Sequence, residues 1–204
     1  MRYPLATWRP TPKHGYGSDD THLKLGLVIH SAEGPLSAMF GVLDGAREAS
    51  WHFSVAQAGR VFQHVDSDNI AWTNGSYEAN RRFWGIECEG GGPGAPGEPL
   101  TEPQYQALKR VVAWLWTQGP TVYVRKQTLW EHLEMTQFGS APTSCPSGRI
   151  PWTRLIADLQ EGNMPIDKTE LVAALYEILG TPPNKYKGLK GRLARLAQPL
   201  IDAH

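Results

Sequence analysis

Leu25 to His30 (LGLVIH) is a short apolar run after a polar, glycine-rich lead-in. Its length and branched side chains predict a buried strand, with His30 at the end where the chain opens into Ser31-Ala32-Glu33-Gly34. Leu36, Met39, Phe40 and Leu43 then recur at helical spacing behind Pro35, which predicts a helix from Pro35 through Leu43. From Trp51 to Val55 the period changes to two: Trp51, Phe53 and Val55 share one face, His52 and Ser54 the other. Val61 to Val65 is its partner across the Gln57-Ala58-Gly59 turn, so the pair reads as a hairpin. Trp84 to Glu89 is a third alternating run, with Trp84, Ile86 and Cys88 facing one way and Glu87 and Glu89 the other.

Gly90 to Pro99 (GGGPGAPGEP) is a loop by composition. Thr101-Glu102-Pro103-Gln104 resembles a capping box ahead of a helix whose face carries Tyr105, Leu108, Val111, Val112 and Leu115. A loop runs to about Thr128, an extended segment carries His132, and Trp152 to Leu159 is a last short helix. From Gly162 the texture changes. Asp167 and Glu170 frame a helix with Leu171, Leu175, Ile178 and Leu179 on one stripe, Gly180-Thr181-Pro182-Pro183 ends it, and Leu189, Leu193, Leu196 and Leu200 mark a second. The expected organisation is a main domain over residues 1–160 and a small helical hairpin over 163–204 that docks on it or recognises something on the substrate. Lys185, Lys187, Lys190, Arg192 and Arg195 concentrate positive charge in the last helix, where a solvated face is the plainer reading and retention on an anionic surface the functional one.

Composition narrows the function classes. Lys plus Arg and Asp plus Glu both number 20, so net charge is zero and no global field draws in nucleic acid or an anionic membrane. No stretch approaches the ~18 consecutive apolar residues of a membrane span. Met1 to His14 lacks the continuous apolar middle of a secretory signal, so synthesis in the cytoplasm is expected. The chemistry must be local. Of seven histidines, His30 and His132 adjoin apolar extended runs, and Cys145 sits in Thr143-Ser144-Cys145-Pro146-Ser147-Gly148, a turn sequence able to present a thiolate. Histidine and thiolate ligands with an open fourth position describe catalytic zinc. Separations of about a hundred residues follow no local motif, however, and a lone His or Cys is more often structural.

The ordered set "LVIHSAEG", "SWHFSV", "VFQHV", "AWTNGS", "GIECEG", "LTEPQYQAL" and "EHLEM…TSCPSGRIPW", spanning roughly Leu25 to Leu159, resembles the N-acetylmuramoyl-L-alanine amidases shared by phage endolysins, bacterial amidases and peptidoglycan recognition proteins. The resemblance implies an α/β fold with a central mixed β-sheet flanked by helices. It also implies Zn2+ held by His30, His132 and Cys145, and hydrolysis of the amide between N-acetylmuramic acid and L-alanine in peptidoglycan. Glu87 falls at the catalytic Glu of some members, ahead of Glu33, Glu89, Glu131 and Glu134. Thr143 stands where many members have a Lys two residues before the ligand Cys, as the stabiliser of the developing oxyanion. Trp51, His52 and Asn74 fall among substrate contacts, although Trp51 replaces a frequent Tyr and Thr73 a frequent His, and His52 reads equally well as a hydrogen-bonded structural histidine.

If Glu87 reaches such a site, Cys88 points into the core, which sets a Cys88–Cys145 disulfide against the metal reading. The "SCPSGRIPW" form looks most like phage lysins acting on actinobacterial walls. The implied setting is a monomeric endolysin that reaches the wall through a separate membrane-permeabilising protein and touches peptidoglycan, not nucleic acid or membrane. The alternatives are a non-catalytic peptidoglycan-binding module, a zinc peptidase cutting inside the stem peptide, disfavoured by the lack of an H-E-x-x-H helix, and an inhibitory partner of another protein.

Overall fold

The computed structural model describes residues 1–15, 24–90, 97–120 and 122–162; the helical hairpin expected over 163–204 lies outside the described residues. The chain order is β1 (Thr7–Trp8), β2 (His14–Gly15), β3 (Gly26–Ser31), α1 (Leu36–Asp44), β4 (Phe53–Val55), β5 (Val61–Gln63), β6 (Ile70–Ala71), α2 (Tyr77–Arg82), β7 (Phe83–Cys88), α3 (Glu102–Trp116), β8 (Leu129–Glu131), a 3-10 helix (His132–Phe138) and α4 (Trp152–Gly162). A six-stranded mixed sheet runs β1-β5-β4-β7-β3-β8, and β2 pairs with β6 in a separate two-stranded ladder. Only β4 and β5, the predicted hairpin, are antiparallel within the large sheet.

The apolar periodicities set the layers. Leu27, Ile29, Phe53, Val55, Trp84, Ile86 and Cys88 line one side of the sheet and pack against Tyr105, Leu108, Val111, Val112 and Leu115 of α3 and Leu155 and Leu159 of α4. Thr101 caps α3 by accepting from the Gln104 amide at 3.2 Å. The reciprocal arm of the expected box is absent, because the buried Gln104 side chain donates to the carbonyls of Val55 and Glu89 and so ties α3 to the sheet.

Two expectations change. The period of two puts Trp51 on the Phe53 face; it packs instead with Met39 and Leu43 of α1 on the opposite side of the sheet. The chain bends at His52, where the imidazole accepts from the Gly85 amide at 3.0 Å, and regular alternation begins only at Phe53. His132 follows β8 rather than lying in an extended segment. The strand stops at Glu131 because the Glu131 and Glu134 side chains cap each other's backbone and start the 3-10 helix.

Candidate metal centre

The ends of β3 and β7 supply the floor of the site. These strands are parallel and in register, with His30 beside Glu87 and Ser31 beside Cys88. Laterally paired residues share a face, so His30 and Glu87 emerge on the side away from α3. The last donors come from the start of the 3-10 helix and from the Cys145 turn, both stitched to this floor by backbone bonds. The Ser31 amide donates to Cys145 Sγ at 3.3 Å, and the Leu133 amide donates to the Cys145 carbonyl at 2.9 Å, which sets Cys145 against both His30 and His132. One donor atom from each of His30, His132 and Cys145 lies within 4.8 Å of the others, and the two imidazole centroids are 4.5 Å apart.

Hydrogen bonding fixes which nitrogen each histidine can offer. Ser76 caps α2, and Asn80, one turn in, accepts from the amides of Thr73 and Asn74. Held there, the Asn74 Nδ2 group donates to the carbonyls of Ala79 and Phe83. Its Oδ1 can only accept, and it faces His30 Nε2 at 2.9 Å. His30 therefore carries its proton on Nε2 and has its lone pair on Nδ1. Ser140 repeats the device more loosely: its hydroxyl donates to the Ala141 carbonyl and accepts from His132 Nε2 at 3.4 Å. Orienting the ring through its second nitrogen is the usual support of a metal-ligating histidine. Gly75 makes room for it. Its φ is 79°, and an added Cβ would overlap the Ser140 hydroxyl.

Burial pushes these groups toward their neutral forms. The His30 pKa falls to about 3 through burial and the neighbouring His132, and His132 falls through burial. Glu87 rises to about 8 by burial, opposed by Arg47. Cys145 rises to about 12 through burial and the charge of Glu87, opposed by the Ser31 amide. Two neutral imidazoles with free lone pairs stand beside an acid and a thiol with no cation among the donors, and a divalent ion would balance the charge of the thiolate and carboxylate once they ionise. Two histidines and one cysteine match the ligand chemistry of catalytic zinc.

A cavity of about 590 Å³ opens over this cluster, lined by His30, His132, Cys145, Glu87, Thr143 and Trp51, with α1 and the loop after it as a wall. Thr143 Oγ1 accepts from the Cys145 amide at 3.2 Å. Asn74 and His52, expected as substrate contacts, are fully buried and outside this lining. Asn74 orients His30, and His52 is consumed internally, its Nδ1 accepting from Gly85 and its Nε2 donating to the Asn69 carbonyl at 3.0 Å. The rival carboxylates separate as well. Glu89 accepts from the amides of Leu36 and Gln57, fastening the start of α1, while Glu131 and Glu134 cap the 3-10 helix and pair with Arg125. Glu33 lines the cavity at its exposed rim.

Cys88 is fully buried on the core side, and both cysteines are free thiols. Arg149, which sequence reasoning did not single out, is 3% exposed and donates to Ser31 Oγ at 2.6 Å and to the Glu89 carbonyl, clamping the ends of β3 and β7 beside the Cys145 turn. Its only signal was a charged residue in an otherwise small and apolar stretch.

No curated protein matches the chain by sequence. Among solved structures the Staphylococcus aureus hydrolase AmiA, in complex with its ligand, is 17% identical, with a TM-score of 0.61 over 79% of this chain and 84% of its own. An AmpD derivative is 23% identical, with a TM-score of 0.58 over 76% and 95%. The Clostridium intestinale endolysin LysCS, an N-acetylmuramoyl-L-alanine amidase, is 17% identical, with a TM-score of 0.55 over 78% and 97%. At these identities the likeness is one of fold. The sequence profile of the N-acetylmuramoyl-L-alanine amidases matches residues 24–148, more than half of the chain and nearly all of the site just described, and the chain therefore belongs to the N-acetylmuramoyl-L-alanine amidase family.

Proposed function

We propose that this amidase is a zinc enzyme, that His30, His132 and Cys145 hold the ion, and that it serves a phage or prophage as an endolysin. The observation that carries the metal assignment is the convergence of those three donors, each seated by its own backbone or side-chain partner, beside an in-register carboxylate. The endolysin role is supported by the fold shared with LysCS and by the resemblance of the Cys145 turn to phage lysins. In that role the enzyme acts on the wall after synthesis in the cytoplasm.

The chemistry zinc supplies when bound is polarisation of the scissile carbonyl and a water acidic enough to lose its proton near pH 7. The protein does the rest. Nε2–H to Oδ1 bonding from His30 to Asn74 holds the ring still, and the Ser31 amide donates to the Cys145 sulfur, which favours the thiolate a bound ion would require. Beside a divalent ion Glu87 would be ionised despite its burial, and a carboxylate oxygen of it takes the water's proton and delivers it to the alanine nitrogen as the carbon–nitrogen bond breaks. The products are a free lactyl carboxylate on muramic acid and a stem peptide with a free alanine amine. Thr143 presents a hydroxyl, not a charged donor, to the developing oxyanion.

Digestion of purified peptidoglycan, with the new ends identified by mass spectrometry, tests the reaction. Stem peptides beginning with an alanine amine are expected. New ends inside the peptide would transfer the reading to a peptidase, and binding without new ends to a recognition module.

A further inference from the structure

The N-terminal arm, Met1–Gly15, precedes the family-matched residues 24–148, yet its contacts run to the wall of the active-site cavity. It adds β1 to the sheet edge, parallel to β5, and then crosses the end of α1. Lys13 Nζ donates to three carbonyls there, Val42 at 2.9 Å, Gly45 at 2.5 Å and Arg47 at 2.8 Å. An ammonium group at a helix C-terminus satisfies carbonyls that have no partner within the helix. Val42 and Arg47 are themselves cavity-lining residues. Arg9 stacks its guanidinium over Phe40 of α1 and donates to Asp44 at 2.6 Å.

A second line of contact begins at the Arg9 backbone. His64 Nδ1 donates to the Arg9 carbonyl at 2.7 Å, which leaves Nε2 to accept; Ser54 Oγ donates to it at 2.8 Å, and Trp51 Nε1 donates to Ser54 Oγ at 2.7 Å. Every donor and acceptor in this relay has one consistent role. Ser54 and His64 are fully buried, and Ser54 stands beside Glu87 in the strand register. Trp51 is the member that faces the cavity. Its indole N–H is spent on Ser54, so it meets substrate with its ring and not with a donor.

We infer that the N-terminal arm is a positioning element for substrate binding: through Lys13 at the end of α1, and through the Arg9–His64–Ser54 relay to Trp51, it holds the cavity wall opposite the metal donors. This rests on the proposed amidase reaction at that cavity. The arm touches no reacting atom, so its loss weakens substrate binding and leaves the chemical step intact.

The test uses the full chain and a soluble muropeptide. KM is expected to rise about tenfold in Lys13→Met, the scale of one charge-assisted hydrogen bond, and about fivefold in Ser54→Ala, the scale of a neutral one, with kcat within about twofold of wild type and bound zinc unchanged. Lys13→Arg restores KM. The indole N–H proton resonance of Trp51, identified by its loss in Trp51→Phe, moves upfield in Ser54→Ala. KM at the wild-type value in the variants, a fall confined to kcat, or losses that track only the folded fraction would overturn the inference; if Lys13→Met does not fold, Ser54→Ala decides alone. A wild-type protein that releases no alanine amine sinks the amidase reading and this one with it, whereas wild-type turnover with unmoved KM in the variants sinks only the role of the arm.

Discussion

Along β3 and β7, Leu27, Ile29, Trp84, Ile86 and Cys88 point to one side of the sheet, while Val28, His30, Gly85 and Glu87 point to the other. The first side is closed by α3 and α4 mainly through apolar contacts, with the Gln104 side chain as the polar tie between α3 and the sheet. The second carries His30, Ser54 and Asn74 at or near zero exposure, each with hydrogen-bond partners, and opens onto the cavity. Buried polar groups without partners are costly, so the second side requires a denser lattice of hydrogen bonds and a close-approach glycine to satisfy the groups it buries. Neighbouring residues of one strand thus divide stability and chemistry between them.

Substitutions on the two sides should therefore fail differently. The largest effect is expected on the cavity side. Cys145→Ser should lose both bound zinc, by elemental analysis, and activity, whereas Glu87→Gln should retain zinc and lose turnover by about 10²–10⁴-fold. Near-normal rates in Glu87→Gln would remove it as the proton carrier and blur the division. On the core side, Phe53 is fully buried and meets Tyr3 and Trp114 edge-on. Phe53→Ala should cost about 3–5 kcal/mol in denaturant unfolding while the surviving folded molecules keep wild-type zinc and kcat; loss of zinc at equal folded fraction would show that the two sides are coupled.

The third effect is a pH dependence, about 2 kcal/mol per ring between pH 6.5 and 5. Burial lowers the pKa of His52, and lowers that of His64 to about 4, against an ordinary value of 6.5. Above pH 6.5 neither folded nor unfolded chain protonates these rings. As pH falls below 6.5 the unfolded chain takes up protons that the folded one refuses, so stability falls by about 1.4 kcal/mol per pH unit for each ring, for His64 until about pH 4. Melting temperatures from pH 7 to 5 should decline accordingly, and His64→Gln should flatten the slope.

Much of this division was legible in the amino-acid pattern. The alternation of Trp84 to Glu89 separated Cys88 from Glu87 correctly, and the helical faces of α1 and α3 follow from leucine and valine spacing. Tertiary hydrogen bonds hid the rest. The alternation misplaces Trp51 because the bend at His52 depends on the distant Gly85 amide; Asn74 resembles a surface polar residue, and His52 stays open between substrate contact and structural histidine, until their buried partners are known. β1, β2 and β6 have two residues each, too few for any period to register. The convergence of His30, His132 and Cys145 left no trace in spacing, and only the resemblance joined them.

The lateral pairing of His30 with Glu87 has a geometric corollary. Adjacent strands stand ~4.8 Å apart because their peptide groups bond to each other, whatever side chains they carry. The backbone separation between the proposed ion-holding residue, His30, and the proposed proton carrier, Glu87, is thereby a main-chain dimension, insulated from insertions in the loops that join β3 to β7.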